Sequence, residues 1–270
     1  MKLDSNLAWQ SAHAAIKGNR EVLLALAGAF FLLPTLAFAL LYPQPATPAG
    51  MTPQQAATLV QTFYRESFPF LLPIILIQVV GSMAILTLFT DRTRPTVGAA
   101  VGAGVVDAVV FLAAMLLFWV ASGIAMGLAI GLAAVSGLAA LATLATVVGL
   151  GAVLYCGLRL MLVMPVIAVE GVHNPVLALR RSWQLTRGNA GRIFLFLLLL
   201  AVIYLVATTL VTAIAGLTFA LLLGVKGGQI AVAVLTALLG AGFTLYVIAV
   251  LAMIHRQLVD SPEAIGATFE

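Results

Sequence analysis

Charged side chains are scarce in this chain. Asp, Glu, Lys and Arg make up 8% of its 270 residues, whereas a soluble domain contains about 25%. Hydrophobic residues account for 63% of the chain, against roughly half in soluble domains. This balance excludes an ordinary soluble globular protein and indicates that the chain is dissolved in a lipid bilayer.

Side chains that carry out chemistry are scarce as well. Cys156 is the single cysteine, which excludes an intrachain disulfide. The three histidines, His13, His173 and His255, fall at polar boundaries, and we expect each to be isolated from acidic partners at metal-ligand spacing. The sequence also lacks HExxH and GxSxG motifs. We therefore predict that the protein is not an enzyme and holds no metal or cofactor.

Long apolar runs are what the chain has in place of charge. Each run meets or exceeds the roughly 20 residues that a helix needs to cross about 30 Å of hydrocarbon. Backbone amides in hydrocarbon must bond within their own segment, so uninterrupted runs of this kind predict helices. The sequence predicts an all-α integral membrane protein, a single polytopic domain over residues 1–270, with six transmembrane helices at 22–42, 68–89, 105–131, 137–169, 193–223 and 229–254.

The gaps between these runs suggest a pattern of three helical hairpins. Each hairpin would begin with a short amphipathic segment that lies in the membrane interface, at residues 7–20, 96–104 and 175–187. The larger gap at residues 43–66 opens with an extended Pro-rich stretch, after which Thr52 is expected to cap a short separate helix from Pro53 to Tyr64.

The distribution of Lys and Arg predicts the orientation, because cytoplasmic loops retain basic residues. Only Arg65 and Lys226 fall in one set of alternate gaps. The other set contains Lys2, Lys17, Arg20, Arg92, Arg94, Arg159, Arg180, Arg181, Arg187, Arg192 and Arg256. Both termini are therefore predicted to be cytoplasmic. The net charge of +4 is divided among short loops without interleaved aromatic residues, which argues against nucleic acid as a partner.

The segment at 175–187 has the clearest local signals in the chain. Asn174 suits an N-cap, Pro175 suits the first helical position, and Gly188 suits a left-handed end. Val176, Leu179 and Trp183 recur at helical spacing. The pattern predicts an interfacial helix whose candidate lipid-headgroup contacts are Arg180, Arg181, Arg187, Arg192 and Trp183. The alternative is that these arginines only enforce topology.

The same region carries a motif. It consists of Arg159-Leu160, Pro165, Glu170, the run Ala178-Leu179-Arg180-Arg181-Ser182-Trp183-Gln184-Leu185-Thr186-Arg187-Gly188-Asn189, and Arg192-Ile193-Phe194. This pattern resembles the membrane domain of some bacterial glycerophosphoryl diester phosphodiesterases and of similar stand-alone membrane proteins. In such fusions the phosphodiesterase activity belongs to a separate soluble domain, for which we expect no room in this chain. The resemblance implies a multi-helix module of the bacterial inner membrane, near phospholipid metabolism or envelope maintenance.

Three ionisable residues fall at or near membrane depth, where a charge is costly and usually faces a partner or water. Asp107 and Arg159 are expected on the same side of the membrane, where they can form an ion pair. Glu170 is expected at the interface, within reach of Arg180 or Arg181. Either these residues fix the helix register by structural pairing, or they line a polar pathway or headgroup site.

Small residues recur at four-residue intervals on the third predicted span. Gly123, Gly127 and Gly131 make a stripe that lets two helix backbones approach closely. The partner is either another helix of the same chain, which we favour because a six-helix protein has many internal faces, or a second copy of the chain.

These observations lead to one functional prediction and two alternatives. We predict a non-enzymatic, lipid-associated or envelope-supporting module of the bacterial inner membrane whose partner is membrane phospholipid. The alternatives are a transporter of a small solute or lipid, with Asp107, Arg159 and Glu170 along its path, and a membrane scaffold that recruits a protein partner. A transporter requires a water-accessible polar cavity around Arg159.

Overall fold

The structure is a computed structural model that describes residues 3–42, 50–90 and 96–259. Every secondary-structure element in these ranges is a helix, which confirms an all-α fold. Arg92 and Arg94, which we predict to be cytoplasmic, lie outside the described residues. The Pro-rich stretch after the first span also lies outside them. The elements are α1 (Ser5–Gly18), α2 (Arg20–Ala27), a π-helical turn (Gly28–Leu32), α3 (Leu33–Leu41), α4 (Pro53–Thr90), α5 (Val97–Val135), α6 (Ala139–Arg159), α7 (Val163–Glu170), α8 (Pro175–Leu185) and α9 (Ala190–Val259).

Within the described residues, five helical segments are long and apolar enough to cross a membrane. They are Arg20–Leu41, Pro53–Phe89, Val97–Val135, Ala139–Glu170 and Ala190–Val259. The chain is therefore an all-α membrane protein. Large apolar side chains such as Val135 and Leu221 are 87% and 78% exposed in the isolated chain, as expected for surfaces that face lipid.

The last segment, α9, is interrupted at Gly224, which has φ +77° and ψ 173°. This backbone conformation is essentially restricted to glycine. The rings of Tyr204 and Phe243 stack with centroids 4.2 Å apart, whereas a straight helix would separate these residues by about 58 Å. Residues 190–223 (α9a) and 225–259 (α9b) are therefore two antiparallel helices that meet at Gly224.

Helix α4 differs from the sequence prediction. The prediction of a separate helix from Pro53 to Tyr64 is wrong, because one continuous helix runs from Pro53 to Thr90 with Pro69 and Pro73 inside it. Thr52 does cap this helix, since its hydroxyl accepts from the Gln55 amide at 3.3 Å. At 38 residues the helix is about 57 Å long, so only part of it fits within the roughly 30 Å of hydrocarbon.

The predicted interfacial segment at 96–104 is also continuous with the helix that follows it. Thr96 accepts from the Ala99 amide at 3.3 Å and starts α5, which continues without a break to Val135. Gly104 allows this helix to approach α4 closely. A Cβ atom at Gly104 would lie 2.8 Å from the backbone nitrogen of Ala84 and 2.9 Å from the carbonyl oxygen of Val80.

The predicted span at 137–169 is divided into two helices. Helix α6 ends at Arg159 and α7 begins at Val163. Pro165 has no amide hydrogen to donate to the preceding turn, which favours a break at this point. Leu162, Val163, Val166 and Ile167 are completely buried, so this region belongs to the interior of the bundle.

The densest packing lies at one end of the helix bundle. Met83 and Ile85 of α4, Val163 of α7 and Val250 and Ile254 of α9b are all fully buried, and they belong to one continuous apolar core.

The N-terminal segment lies at this same end. The backbone amide of Leu3 donates to Asn189 at 3.0 Å, and the amide of Asp4 donates to Gln257 at 3.1 Å. Asp4 also caps α1 by accepting from the amides of Asn6 and Leu7. The start of α1, the start of α9a and the end of α9b are therefore neighbours.

Candidate functional site

Helix α8 lies beside a group of charged and histidine side chains that come from several helices. Asn174 caps it by accepting from the amides of Val176 and Leu177 at 3.0 and 3.1 Å, and Pro175 occupies its first turn. Gly188 follows in the left-handed conformation with φ +79°. The predicted start and end signals of this helix are confirmed. We define the α8 cluster as the six residues Asp107, Arg159, Glu170, His173, Arg181 and His255.

The face by which α8 packs on the protein is short and partly polar. Ala178, Ser182 and Leu185 are buried. The hydroxyls of Ser182 and of the adjoining Thr186 both donate to the carbonyl oxygen of Arg159 at 3.0 Å. The last carbonyls of a helix have no partner within it, so these two hydroxyls satisfy the end of α6 and fix α8 against it.

Glu170 at the end of α7 is the centre of an ion-pair network. Arg181 Nε lies 2.9 Å from one carboxylate oxygen and 3.2 Å from the other. His255 Nε2, on α9b, lies 2.9 Å from the same carboxylate. The side chain of His255 is 2% exposed. One carboxylate thus joins α7, α8 and α9b, and the predicted contact of Glu170 with Arg180 or Arg181 is made by Arg181.

Asp107 on α5 does not form the predicted ion pair with Arg159. Its carboxylate lies 3.2 Å from His173 Nε2, in the turn that precedes α8. The expectation that His173 and His255 lack acidic partners is therefore wrong. His255 and Glu170 are 85 residues apart in sequence, and that separation hides the contact from any search for local spacing.

Arg159 is a buried cation at the end of α6. The residue is 5% exposed, and its guanidinium carbon lies 4.7 Å from the centre of the Trp183 ring and 6.0 Å from that of Tyr155. Its Nε has no hydrogen-bond partner, and within the described residues no carboxylate forms a salt bridge with it. Stacking on Trp183 therefore replaces an ion pair for this charge.

The candidate headgroup contacts do not share one environment. Arg180, Arg187 and Arg192 are exposed, and in the described part of the chain none of them forms a salt bridge. Arg181 is instead engaged by Glu170. Trp183 is 37% exposed and has Arg159 against its ring.

The glycine stripe on α5 has no partner helix within the described chain. A Cβ atom at Gly123, Gly127 or Gly131 would meet nothing within 4 Å. The favoured prediction of intrachain packing through these glycines is therefore wrong. The close approach of α5 to α4 occurs at Gly104 instead, near the buried end of the helix.

An open groove runs between α5, α6 and α8, with a volume of about 590 Å³. We call it the α8 groove. Its walls are almost entirely apolar and include Leu117, Phe118, Ala121 and Ala125 of α5 and Leu160 at the end of α6. On the α8 side it is lined by Val176 and Leu179, with Arg180 and Trp183 beside them.

Sequence reasoning missed the two hydroxyls that hold α8 in place. Ser182 and Thr186 are completely buried, and their four-residue spacing puts them on one helical face. That spacing was the available signal, but Val176, Leu179 and Trp183 define a neighbouring side of the helix that is apolar. Among the described residues no three His, Cys, Asp or Glu side chains gather as a metal site, and the absence of a cofactor stays a prediction.

Comparison with known proteins identifies one family. Residues 138–266 match the family described as the membrane domain of glycerophosphoryl diester phosphodiesterase. The matched segment covers just under half of the chain and includes α6, α7, α8 and α9. It contributes Arg159, Glu170, His173, Arg181 and His255 to the α8 cluster. No curated protein and no solved structure matched the chain.

Proposed function

Because residues 138–266 belong to the membrane-domain family of glycerophosphoryl diester phosphodiesterase, we propose that this chain is a non-enzymatic, lipid-associated module of the bacterial inner membrane. It contacts anionic phospholipid headgroups in the cytoplasmic leaflet through the arginines of α8 and the start of α9. The family match covers a membrane part only. The same proposal includes an envelope-supporting role for this module.

The observation that carries the proposal is the group of three exposed arginines, Arg180, Arg187 and Arg192. In the described residues they have no acidic partner. A guanidinium binds phosphate oxygens through two parallel hydrogen bonds. Basic residues near the surface of an anionic leaflet contribute about 1 kcal/mol each to its attraction. Trp183 on the same helix suits headgroup depth.

We further propose six membrane crossings, with α9a and α9b as separate spans. Each is longer than the roughly 20 residues that a crossing requires, and Gly224 lies between them. An even number of crossings returns the chain to its starting side, in agreement with the contact between Asp4 and Gln257. The excess of Lys and Arg at that end supports a cytoplasmic location for both termini.

The test compares two double variants with the same change in charge. In Arg187→Gln/Arg192→Gln, both substitutions are at the arginine-bearing end of the bundle. In Arg65→Gln/Lys226→Gln, both are exposed side chains at the opposite end in the proposed topology. Each protein is extracted gently from its native membrane, and the retained phosphatidylglycerol and phosphatidylethanolamine are counted by native mass spectrometry.

The proposal expects the arginine variant to lose at least half of its retained phosphatidylglycerol while phosphatidylethanolamine is unchanged. The control variant should keep the wild-type pattern, since its cations face the other leaflet. Equal retention of phosphatidylglycerol by wild type and both variants would refute headgroup contact through these arginines.

A transporter of a small solute or lipid is the second candidate, favoured by the burial of Arg159 without an acidic partner in the described chain. We place it second because Asp107 and Glu170 are each engaged by a histidine and do not form a continuous path with Arg159. Labelling of Arg159→Cys by a small water-soluble thiol reagent in a Cys156→Ala background would support a water-filled route. Failure of the reagent to reach that position would exclude it.

A further inference from the structure

We propose that the α8 groove holds one acyl chain of an anionic phospholipid, whose phosphate is bound by Arg180. The inference rests on the proposed lipid contact and deepens it. The proposed function describes a general attraction to the leaflet. The inference adds one specific site, which consists of the apolar walls of the α8 groove and the guanidinium of Arg180. The site lies partly on α5, outside the segment that matches the family.

The shape and lining of the groove suit an acyl chain. Its volume of about 590 Å³ falls within the roughly 300–1,000 Å³ of small-molecule sites. The small side chains of Ala121 and Ala125 leave room along α5, while Phe118 and Leu179 supply apolar walls. The groove is open along one side, toward surfaces of α5 on which Leu117 is 44% exposed. A bilayer therefore supplies a chain that can enter sideways.

The apolar walls alone do not select a ligand. Lipid tails are as apolar as leucine, so a chain gains little hydrophobic free energy on moving from the bilayer into the groove. Selectivity has to come from the headgroup. Arg180 is the one Lys, Arg, Asp or Glu among the described residues that line the groove, and a zwitterionic lipid would present to it an ammonium group as well as a phosphate.

The charge around the groove has one sign. Arg180 forms no salt bridge within the described residues, and the carboxylate of Glu170 is bound by Arg181 and His255. Arg159 adds a second positive charge, held against the ring of Trp183, and Trp183 itself lines the groove. A buried charge without a counter-ion is expensive. A phosphate bound at Arg180 would supply the negative charge that this side of the groove lacks.

A phospholipid fits this arrangement better than a free phosphate, which would leave the apolar part of the groove unfilled. A helix of a second chain would fill the groove, but it would bring no negative charge unless it carried an acidic residue. The long apolar wall and the adjacent guanidinium of Arg180 together favour an anionic lipid as the ligand of this site.

The experiment uses full-length protein in nanodiscs of phosphatidylcholine with a small fraction of phosphatidylglycerol that bears a photoreactive acyl chain. After illumination, cross-linked peptides are mapped by mass spectrometry. We expect the label to concentrate on residues 117–125 of α5 and 176–183 of α8. Unlabelled phosphatidylglycerol should compete with this labelling at least tenfold more effectively than unlabelled phosphatidylethanolamine.

Two variants and a matched control separate the parts of the site. Ala125→Phe fills the groove and should reduce its labelling at least fivefold, whereas Ala129→Phe places the same side chain on an exposed position of α5 that does not line the groove. Arg180→Gln should reduce labelling of the groove toward the level of other lipid-facing helices and abolish the preference for phosphatidylglycerol over phosphatidylethanolamine.

The inference is overturned if label spreads evenly over exposed apolar helices, or if Ala125→Phe and Ala129→Phe behave alike. Groove peptides that stay unlabelled would also overturn it, since lipid would then be excluded from the groove. These results leave the proposed function standing if Arg187→Gln/Arg192→Gln still loses phosphatidylglycerol. Conversely, an unchanged double variant with labelled groove peptides would refute the surface contact alone.

Discussion

The substitution Glu170→Gln tests whether one carboxylate holds α7, α8 and α9b together. The variant keeps the size of the side chain but leaves one carbonyl oxygen for two donors, Arg181 Nε and His255 Nε2, which now lie 2.9 Å from the carboxylate. The amide nitrogen that replaces the second oxygen adds a donor where another donor already points. Both contacts therefore lose the carboxylate charge, and the amide nitrogen can donate to His255 Nε2 only when the ring proton moves to Nδ1, which is buried without a partner among the described residues.

The size of the expected destabilisation follows from the burial of the two side chains that contact Glu170, those of Arg181 and His255. A hydrogen bond to a charged group contributes about 1.5–3 kcal/mol, and because His255 is 2% exposed we expect the weakening of its bond to cost about 1.5 kcal/mol. The side chain of Arg181 is 37% exposed, so solvent screening reduces its ion pair to about 0.2–1 kcal/mol. We expect Glu170→Gln to destabilise the protein by about 2 kcal/mol in total.

The assay is the thermal unfolding midpoint in a mild detergent, followed by fluorescence-detected size exclusion. A loss of about 2 kcal/mol corresponds to a decrease of roughly 4–8 °C for a chain of this size. Glu66→Gln is the control, because Glu66 is exposed on α4 and its side chain should contribute less than about 0.5 kcal/mol. Equal midpoints for the two variants would show that the network does not hold these helices.

Two glycine substitutions with matched controls test the geometry of the bundle. Gly104→Ala should destabilise the protein by about 1–3 kcal/mol through overpacking against the backbone of α4. The control Gly102→Ala meets nothing within 4 Å and should be neutral or stabilising, because alanine favours helix. Equal thermal midpoints for the two variants would contradict the close contact between α4 and α5. Gly224→Ala should cost about 1–3 kcal/mol because of its positive φ, and Gly242→Ala, in a helical position with open space, should not. A destabilised Gly242→Ala or an unaffected Gly224→Ala would contradict the reversal of the chain at that residue.

Membrane class and helix content could be predicted because hydrocarbon imposes them. Backbone groups without water must pair locally, so long apolar runs give helices whatever surrounds them. The cap at Asn174 and the left-handed Gly188 were equally predictable, because both depend on local backbone chemistry. Orientation and the count of six crossings are predictions from the distribution of charge and the length of the apolar runs.

The contacts between helices could not be predicted from local patterns. Asp107 was expected to meet Arg159, but both the turn at Leu160–Leu162 and the position of α8 decide what lies beside them. The bundle brings His173 to Asp107 and an aromatic ring to Arg159. Opposite charges on one side of a membrane limit the possible pairs but do not choose among them.

The glycine stripe on α5 illustrates a second reason why contacts between helices could not be predicted from the sequence. Small residues permit close approach but do not supply a neighbour, and a Cβ atom at Gly123, Gly127 or Gly131 would meet nothing within 4 Å in the described chain. At Gly104 the absence of a side chain does allow a close helix contact, because the backbone of α4 passes there. The α8 groove depends on three helices from distant parts of the chain, so no single segment predicted it.

Lipid contact in the cytoplasmic leaflet requires that the arginine-bearing end of the bundle face the cytoplasm, and cysteine accessibility tests this directly. In a Cys156→Ala background, Gln184→Cys and Lys226→Cys place single thiols at two exposed positions, one on α8 and one beside Gly224. A membrane-impermeant maleimide added to intact spheroplasts should label Lys226→Cys and leave Gln184→Cys unlabelled until the membrane is opened. Labelling of Gln184→Cys in intact spheroplasts would contradict the account.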